Sequence, residues 1–545
     1  MTSRSLGHRA PLLWLALPLT AGLAAGRSTT FASTAWLLGS ALGFAVAAVW
    51  TSKRAPKWWA VTLAAAMFLA GWADYGMQRA RLGSWDTLPP REATLSLRVE
   101  RVFTQTDPRK SVGLATIVRA DGRLHELGGQ RIHFSLALGK GVQPPIRSAV
   151  VSAIGVLVPL PRDPPADTFE GFLAGAGVNF RLNRGRLLAE EKSASAYYRF
   201  CARTARRFWE ILGRGIEDRW PAQAGSLRAM MLGDTHDLTS GQHELFMQSG
   251  TMHLFAISGL NIGVIATALR TLLVFLRLPR WARFVVGTAL LWLFVDITGG
   301  SPSAIRAFAM TVFFQLATVL RRPANLLAAV VAAATAVLLV APLQVFGASF
   351  VMSYGIVAAL FLLGLPLADH WLARWTPWRD LPPVTWRRWH RWSAYAWRWL
   401  ATALAVGVAT TLVSLLTSVQ FFRLLTPGAL LANLVLIPTA MAATLGGFVA
   451  LLCGLLGFGP AVVGCNHLAA LLMLTIEVLV RLGVRLPGAF VPAHFVAPWV
   501  GMTALSGLML ALLAGYAANW RRVWGGWWPP FGLVGLALLF GVQFG

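Results

Sequence analysis

Residues 249–263, SGTMHLFAISGLNIG, place a histidine, two serines, an asparagine and glycines in a run otherwise apolar enough for a membrane. The surrounding chain decides how to read it. Of 545 residues 56% are hydrophobic and 13% charged, where soluble domains carry roughly 25% charged residues. Apolar stretches of spanning length, about 17 to 25 residues, recur from one end to the other. The chain is therefore expected to be a polytopic α-helical membrane protein with about 12 to 13 apolar membrane segments, some of them re-entrant or broken.

Three segments come first, at about 11–26, 31–50 and 58–74. Arg4, His8 and Arg9 precede the first, Arg27 alone lies between the first two, and Lys53, Arg54 and Lys57 separate the second from the third. Cytoplasmic loops collect Lys and Arg, so the N-terminus is expected in the cytoplasm and the chain after residue 75 outside. The segments are read as an anchor over residues 1–80, not as a cleaved leader. The same bias accounts for much of the excess of 48 Lys and Arg over 22 Asp and Glu, with nucleic acid as the competing cause. The three cysteines, Cys201, Cys453 and Cys465, suggest neither a disulfide framework nor a metal site.

Residues 81–192 are a different material. Short alternating runs such as ATLSLRVERVF, SVGLATIVRA, QRIHFSLAL and AVVSAIGVLV are broken by turn sequences, which predicts a small antiparallel β domain of five or six strands, barrel or sandwich. Its basic residues outnumber its acids. Arg98, Arg101, Arg109, Lys110, Arg119, Arg123 and Arg131 are the candidate nucleic-acid contacts, and an ordinary solvated surface explains them equally.

Residues 193–232 open with aromatics among arginines, SAYYRFCARTARRFWEILGRG. They are read as an amphipathic helix on the outer membrane surface or as one packed on the β domain. Spans resume at about 253–276, 282–299, 303–320, 324–341 and 344–366, then 399–418, 428–456, 460–480, 497–516 and 527–545. The Trp- and Arg-rich loop 369–399 suits helices in the headgroup layer, with stacking on single-stranded bases as the alternative.

Polar groups at membrane depth mark three clusters. On one helix His253 and Asn261 would project to roughly the same side. Gly259 and Gly263 would admit a close neighbour, and a break is expected near Ser258 and Gly259. Just upstream, Asp234, His236, Asp237, His243, Glu244 and Ser249 lack metal-ligand spacing and read as a cap and turn. In DITGGSPSAIRAFAM, Pro302 and Ser303 open a helix that carries Arg306 into the membrane. There it pairs with Asp296, reaches the interface, or meets a phosphate in transit. Asn433 and Pro438 interrupt a third apolar segment, as in a discontinuous helix or a plain kink.

Four stretches, GDTHDLTSGQHELFMQSGTMHLFAISGLNIG, GGSPSAIRAFAM, FGASFVMSYGIVAAL and FFRLLTPGALLANLVLIP, resemble the ComEC competence proteins, in the family's order and spacing. The most specific match runs through Ser249, Gly250, His253, Leu254, Ala256, Ile257, Ser258, Gly259 and Leu260. The resemblance covers about residues 1–545. It implies an inner-membrane channel that admits single-stranded DNA during natural transformation, with an extracytoplasmic oligonucleotide-binding (OB-like) barrel over 81–192 and a competence-type channel domain over 233–545. Asp234, Ser249, His253, Ser258, Gly259, Asn261, Gly263, Ser303, Arg306, Asn433 and Pro438 would line or brace the conduit. The departures are Asn261 in place of a usual second histidine, Val351 in place of a glutamine, Ala341 in place of a polar residue, and no cysteine pair in the barrel. No His-x-His-x-Asp-His motif is present. The resemblance then leaves strand degradation to a separate nuclease, and implies a DNA receptor outside and a helicase-like ATPase inside. The lipid bilayer is the remaining partner; no cofactor, metal or enzymatic activity is expected. Two alternatives are a transporter of a small molecule or lipid on the same fold, and an intramembrane hydrolase with Ser258 as nucleophile and His253 as base.

Overall fold

The computed structural model describes residues 10–29, 33–52, 55–80, 89–103, 107, 109–139, 141–161, 164–165, 168–255, 257–322, 325–486, 488–521 and 525–544. Arg4, His8, Arg9, Lys53, Arg54 and Lys140, and the side chains of Lys57, Arg123 and His253, lie outside the described residues.

The first three helices, α1 (Leu13–Ser28), α2 (Thr34–Thr51) and α3 (Pro56–Ala80), pack through α3, which contacts both of the others and runs parallel to α1. Small residues bring two of the backbones together: a Cβ on Gly22 would stand 1.9 Å from Phe68 O, and one on Gly71 2.4 Å from Leu19 O. Among apolar helices in lipid, such close approach is a principal source of attraction.

Five strands follow: β1 (Arg91–Phe103), β2 (Lys110–Ala120), β3 (Arg131–Ala137), β4 (Val150–Pro159) and β5 (Phe180–Lys192). They close into a barrel in the order β1-β2-β3-β5-β4, antiparallel throughout except between β3 and β5. This settles barrel over sandwich and matches an OB-like closed sheet. Alternation fills the interior with Leu95, Leu97, Ile117, Ile132, Phe134, Leu136 and Phe180. Gly113 lies opposite Val102, where a Cβ would come 2.1 Å from Arg101 O, so only glycine lets these strands pair. A short helix, α4 (Phe169–Gly175), capped by Thr168, joins β4 to β5.

The segment after the barrel differs from expectation. It holds two helices, α5 (Ala196–Gly213) and α6 (Pro221–Leu232). The buried face of α5 (Cys201, Phe208, Ile211, Leu212) belongs to the core of the helical bundle, together with Leu227, Ala443, Leu451 and Val462. Its arginines face outward because its apolar stripe is satisfied by protein; the β domain contributes nothing to that cluster. Next come α7 (Ser240–Gln248), opened by a Thr239–Gln242 capping box, and a 3-10 turn, Thr251–Leu254. Gly250 between them takes a left-handed φ of 66°.

The bundle continues with α8 (Gly259–Phe275), α9 (Arg280–Ile297), α10 (Pro302–Val319), α11 (Leu326–Val340), a 3-10 turn at Pro342–Phe346, α12 (Ala348–Ala359), which runs through a π turn into α13 (Leu365–Arg374), and α14 (Arg388–Phe422). After the short strand β6 (Leu424–Leu425) come α15 (Ala429–Leu455), α16 (Gly459–Val484), β7 (Val491–Phe495), α17 (Pro498–Ala517), α18 (Trp528–Gly541) and β8 (Val542–Phe544). All thirteen apolar segments are helical. Eight helices among the described residues are long and apolar enough to cross a membrane, and α8, α11 and α18 are shorter apolar ones. The chain is a polytopic helical membrane protein carrying a small β-barrel.

Two further expectations change. Asn433 and Pro438 do not divide a helix: α15 is continuous, with Pro438 on an exposed side and the Thr439 hydroxyl donating to Val435 O. The tryptophan-rich loop forms no separate surface helix. Trp389, Trp392, Tyr395 and Trp399 are exposed on the first turns of the 35-residue α14. Strands β6, β7 and β8 make a three-stranded sheet.

Candidate functional site

The break expected at Ser258 is present. Ser258 caps α8, its Oγ accepting from Asn261 N at 3.3 Å. Residues before it lie on the 3-10 turn, so His253 and Asn261 do not share a helix and the same-side argument for the pair fails. Asn261 is a buried brace: its Nδ2 donates to Met230 O on α6 at 3.0 Å, and its Oδ1 accepts from Thr444 Oγ1 on α15 at 3.3 Å. Gly259 meets α10, where its Cβ position lies 3.6 Å from Ala307 Cβ, whereas Gly263 faces open space, so only one of the two glycines serves a close approach. Ser249 is buried, 2.7 Å from Thr251 Oγ1.

The Asp234 region is a turn built around an arginine that the sequence reading missed. Arg228, 3% exposed, ion-pairs with Glu217 at 2.9 Å and Asp237 at 3.1 Å, donates from Nε to Trp209 O, and lies 3.3 Å from the centre of the Trp209 indole. Trp209 Nε1 donates to Asp237 as well. Asp234 accepts from His236 N, and burial pushes its carboxyl above the ordinary carboxylate range. The one signal for Arg228 in sequence is a lone arginine within SLRAMML.

Arg306 is the other buried arginine among the described residues, 2% exposed. Ser301 caps α10 and Pro302 occupies its first position, with Ser303 half-buried beside it. The expected pair with Asp296 is not formed. Arg306 reaches α12 and the turn before it: Nη1 donates to Gln344 Oε1 at 3.4 Å, and Nη2 to Ser349 O at 2.8 Å, to Ser349 Oγ and to Ser353 Oγ at 3.0 Å. Among the described residues no carboxylate reaches it and its Nε has no partner. Tyr354, next to Ser353, buries a hydroxyl that also lacks a described partner. Ser349 is itself exposed, so the guanidinium lies one side chain below an accessible surface. A cation so placed is costly unless an anion joins it.

Asp296 instead holds the barrel. Arg147, between β3 and β4, reaches it at 2.8 Å, and Tyr197 Oη donates to it at 2.9 Å. Arg147 also lies over the Tyr198 ring at 4.7 Å. Of the barrel candidates, Arg131 is engaged with Glu100 at 2.9 Å and with Ala176 O, and Lys110 with Asp107 at 3.6 Å. Arg98, Arg109 and Arg119 are exposed. Arg101 is half-buried: burial, and then the Arg147 charge, lower its pKa to about 10.

A family model described as Competence protein matches residues 230–517, more than half of the chain. The ComE operon protein 3 of Bacillus subtilis (strain 168) is similar at 26% identity over 142 residues, covering 26% of this chain and 18% of that relative. No solved structure matches. The matched region runs from the end of α6 through α17 and includes both Asn261 and Arg306, and the chain belongs to the Competence protein family.

Proposed function

We propose that this chain is the inner-membrane conduit for single-stranded DNA in natural transformation, with its N-terminus in the cytoplasm and its barrel outside. Membership of the Competence protein family supports a role in DNA uptake. The observation that carries the finer proposal is Arg306. A buried guanidinium held by a carboxamide, two hydroxyls and one carbonyl keeps its full charge uncompensated, and guanidinium binds phosphate through parallel hydrogen bonds. The bundle would recognise the backbone of the strand and not its sequence, with Asn261, Ser258 and Gly259 bracing the wall. Arg277, Arg280, Arg321 and Arg322 at one end of the helices and the Asp296 loop at the other support the orientation. A DNA receptor outside, a helicase-like ATPase inside and a separate nuclease complete the process in this proposal.

The test is delivery of labelled double-stranded DNA in a competent host lacking the gene. The expected result is loss of cytoplasmic label with surface binding retained, restored by the wild-type chain and not by Arg306→Ala. Unchanged delivery in the deletion strain overturns the proposal in favour of a transporter of another anion.

A further inference from the structure

Beside α4 the barrel carries four rings in one cluster. Phe103, at the end of β1, stacks on His133 of β3 with centroids 6.3 Å and planes 29° apart. Phe169 meets the same imidazole edge-on at 5.3 Å, and Phe169 and Phe172, on the first turn of α4, stack at 6.1 Å and 22°. Two of these rings are open to the surroundings, Phe169 at 50% and Phe172 at 43% exposed. The barrel interior is already filled without them. Guanidinium groups flank the rings: Arg101 lies 5.3 Å from the centre of Phe103 and Arg181 5.8 Å from that of Phe169. His133 is buried with both ring nitrogens unpartnered among the described residues, a hydrogen-bonding group held between phenyl rings.

The position matters as much as the composition. At its other end α4 packs on the turn Pro342–Phe346: a Cβ on Gly175 would lie 3.9 Å from Leu343 O and from Gly347 Cα. Gln344 of that turn accepts from Arg306. A continuous line of contacts thus joins the rings to the buried arginine.

We propose that Phe103, Phe169 and Phe172, with Arg101 and Arg181, form a base-stacking site for single-stranded nucleic acid at the barrel–bundle junction, from which the strand passes to Arg306. The inference rests on the conduit proposal and adds how the strand is first held. Flat rings accept any base; Arg101 beside Phe103 can neutralise a phosphate, and Arg181, already paired with Glu170, positions the Phe169 ring. A bilayer is the less fitting occupant, because α4 carries between the two rings an exposed carboxylate, Glu170, paired with Arg181 at 3.1 Å, which hydrocarbon would expel.

The experiment uses the full chain in lipid nanodiscs and two fluorescent probes of equal length, an oligo-dT strand and the same backbone without bases. Phe169→Ala with Phe172→Ala is expected to weaken oligo-dT binding about tenfold or more and to leave the abasic strand within about twofold. Phe172→Trp should keep or tighten oligo-dT binding. Should the double variant fail to fold, the single Phe172→Ser, at a half-exposed position, carries the same expectation. Equal loss on both probes, no loss on either, or loss only of lipid contact overturns the site. If the wild-type chain binds neither probe, the conduit proposal falls; if it binds both equally, only the stacking site does.

Discussion

Two arginines in this molecule are almost equally buried and are held in opposite ways. Arg228 lies between Glu217 and Asp237 under an indole, so its charge is neutralised where it stands. Arg306 has only Gln344, Ser349 and Ser353, all uncharged, and an Nε without a described partner. The first arrangement closes on itself and holds α5, α6 and the turn after α6 together. In the conduit proposal the second is completed by an anion, and the sign of the neighbours, more than burial, then separates a structural charge from a working one.

The comparison sorts the effects of mutation. The largest expected loss of stability is at Arg228: Arg228→Ala leaves Asp237 and the half-exposed Glu217 without their partner beside a buried void and should cost about 2–3 kcal/mol, discounted for the solvent that reaches Glu217 and seen as loss of folded protein in the membrane fraction. Arg306→Ala removes a charge with no acid to strand. Folded protein is expected at near wild-type level while DNA delivery falls about a hundredfold; equal damage from the two substitutions would erase the distinction.

A sharper test converts one kind into the other. Ser353→Asp places a carboxylate where a hydroxyl now accepts from Arg306 at 3.0 Å. The variant should melt at or above the wild-type temperature and yet deliver about tenfold less DNA or worse, since the internal acid competes with phosphate. Arg306→Lys should sit between wild type and alanine, because the ammonium keeps the charge and loses the fork.

A smaller effect tests whether the barrel is tied to the bundle by charge. Asp296→Asn leaves Arg147 and Tyr197 facing an amide, and should cost about 1–2 kcal/mol, discounted because Arg147 is one-third exposed on its side chain. Limited proteolysis between barrel and bundle would read this as faster cleavage; an unchanged cleavage rate would mean that the contact between α4 and the turn Pro342–Phe346 carries the docking.

A last effect, confined to the barrel, is on pH. Burial, and then the Arg181 charge, lower the His133 pKa to about 4, so between about pH 6.5 and 4 the unfolded barrel binds a proton that the folded barrel refuses. Stability is therefore complete above pH 6.5 and declines as pH falls through that window. His133→Phe should flatten the decline as followed by barrel unfolding.

Much of this was legible in sequence. Alternation over residues 91–158 announced the strands, and the thirteen apolar segments all became helices, because both periodicities follow directly from which face is buried. Arg306 was legible as a charge at membrane depth, but its partners were not. Asp296 lies ten residues away in the chain and is taken by Arg147 from the barrel and Tyr197 from α5, while Gln344 and Ser353 come from a segment with no obvious acceptor pattern. The pairing of His253 with Asn261 failed because Ser258 caps a new helix between them. Arg228 escaped notice because its two acids, at 217 and 237, flank its helix and do not lie on it. Strands β6 to β8, of two, five and three residues, are too short for any periodicity to show.

The most direct test of the central claim is contact between the passing strand and the Arg306 site. A photocrosslinking amino acid in place of Ser303, three residues before Arg306 on α10, is exposed to light while a competent host takes up labelled DNA. The account predicts crosslinks to single-stranded label at that position, absent when Arg306→Ala is combined with it and absent from a probe placed at Glu217 beside Arg228. Cytoplasmic delivery of label at the wild-type rate with no crosslink at position 303 would contradict it.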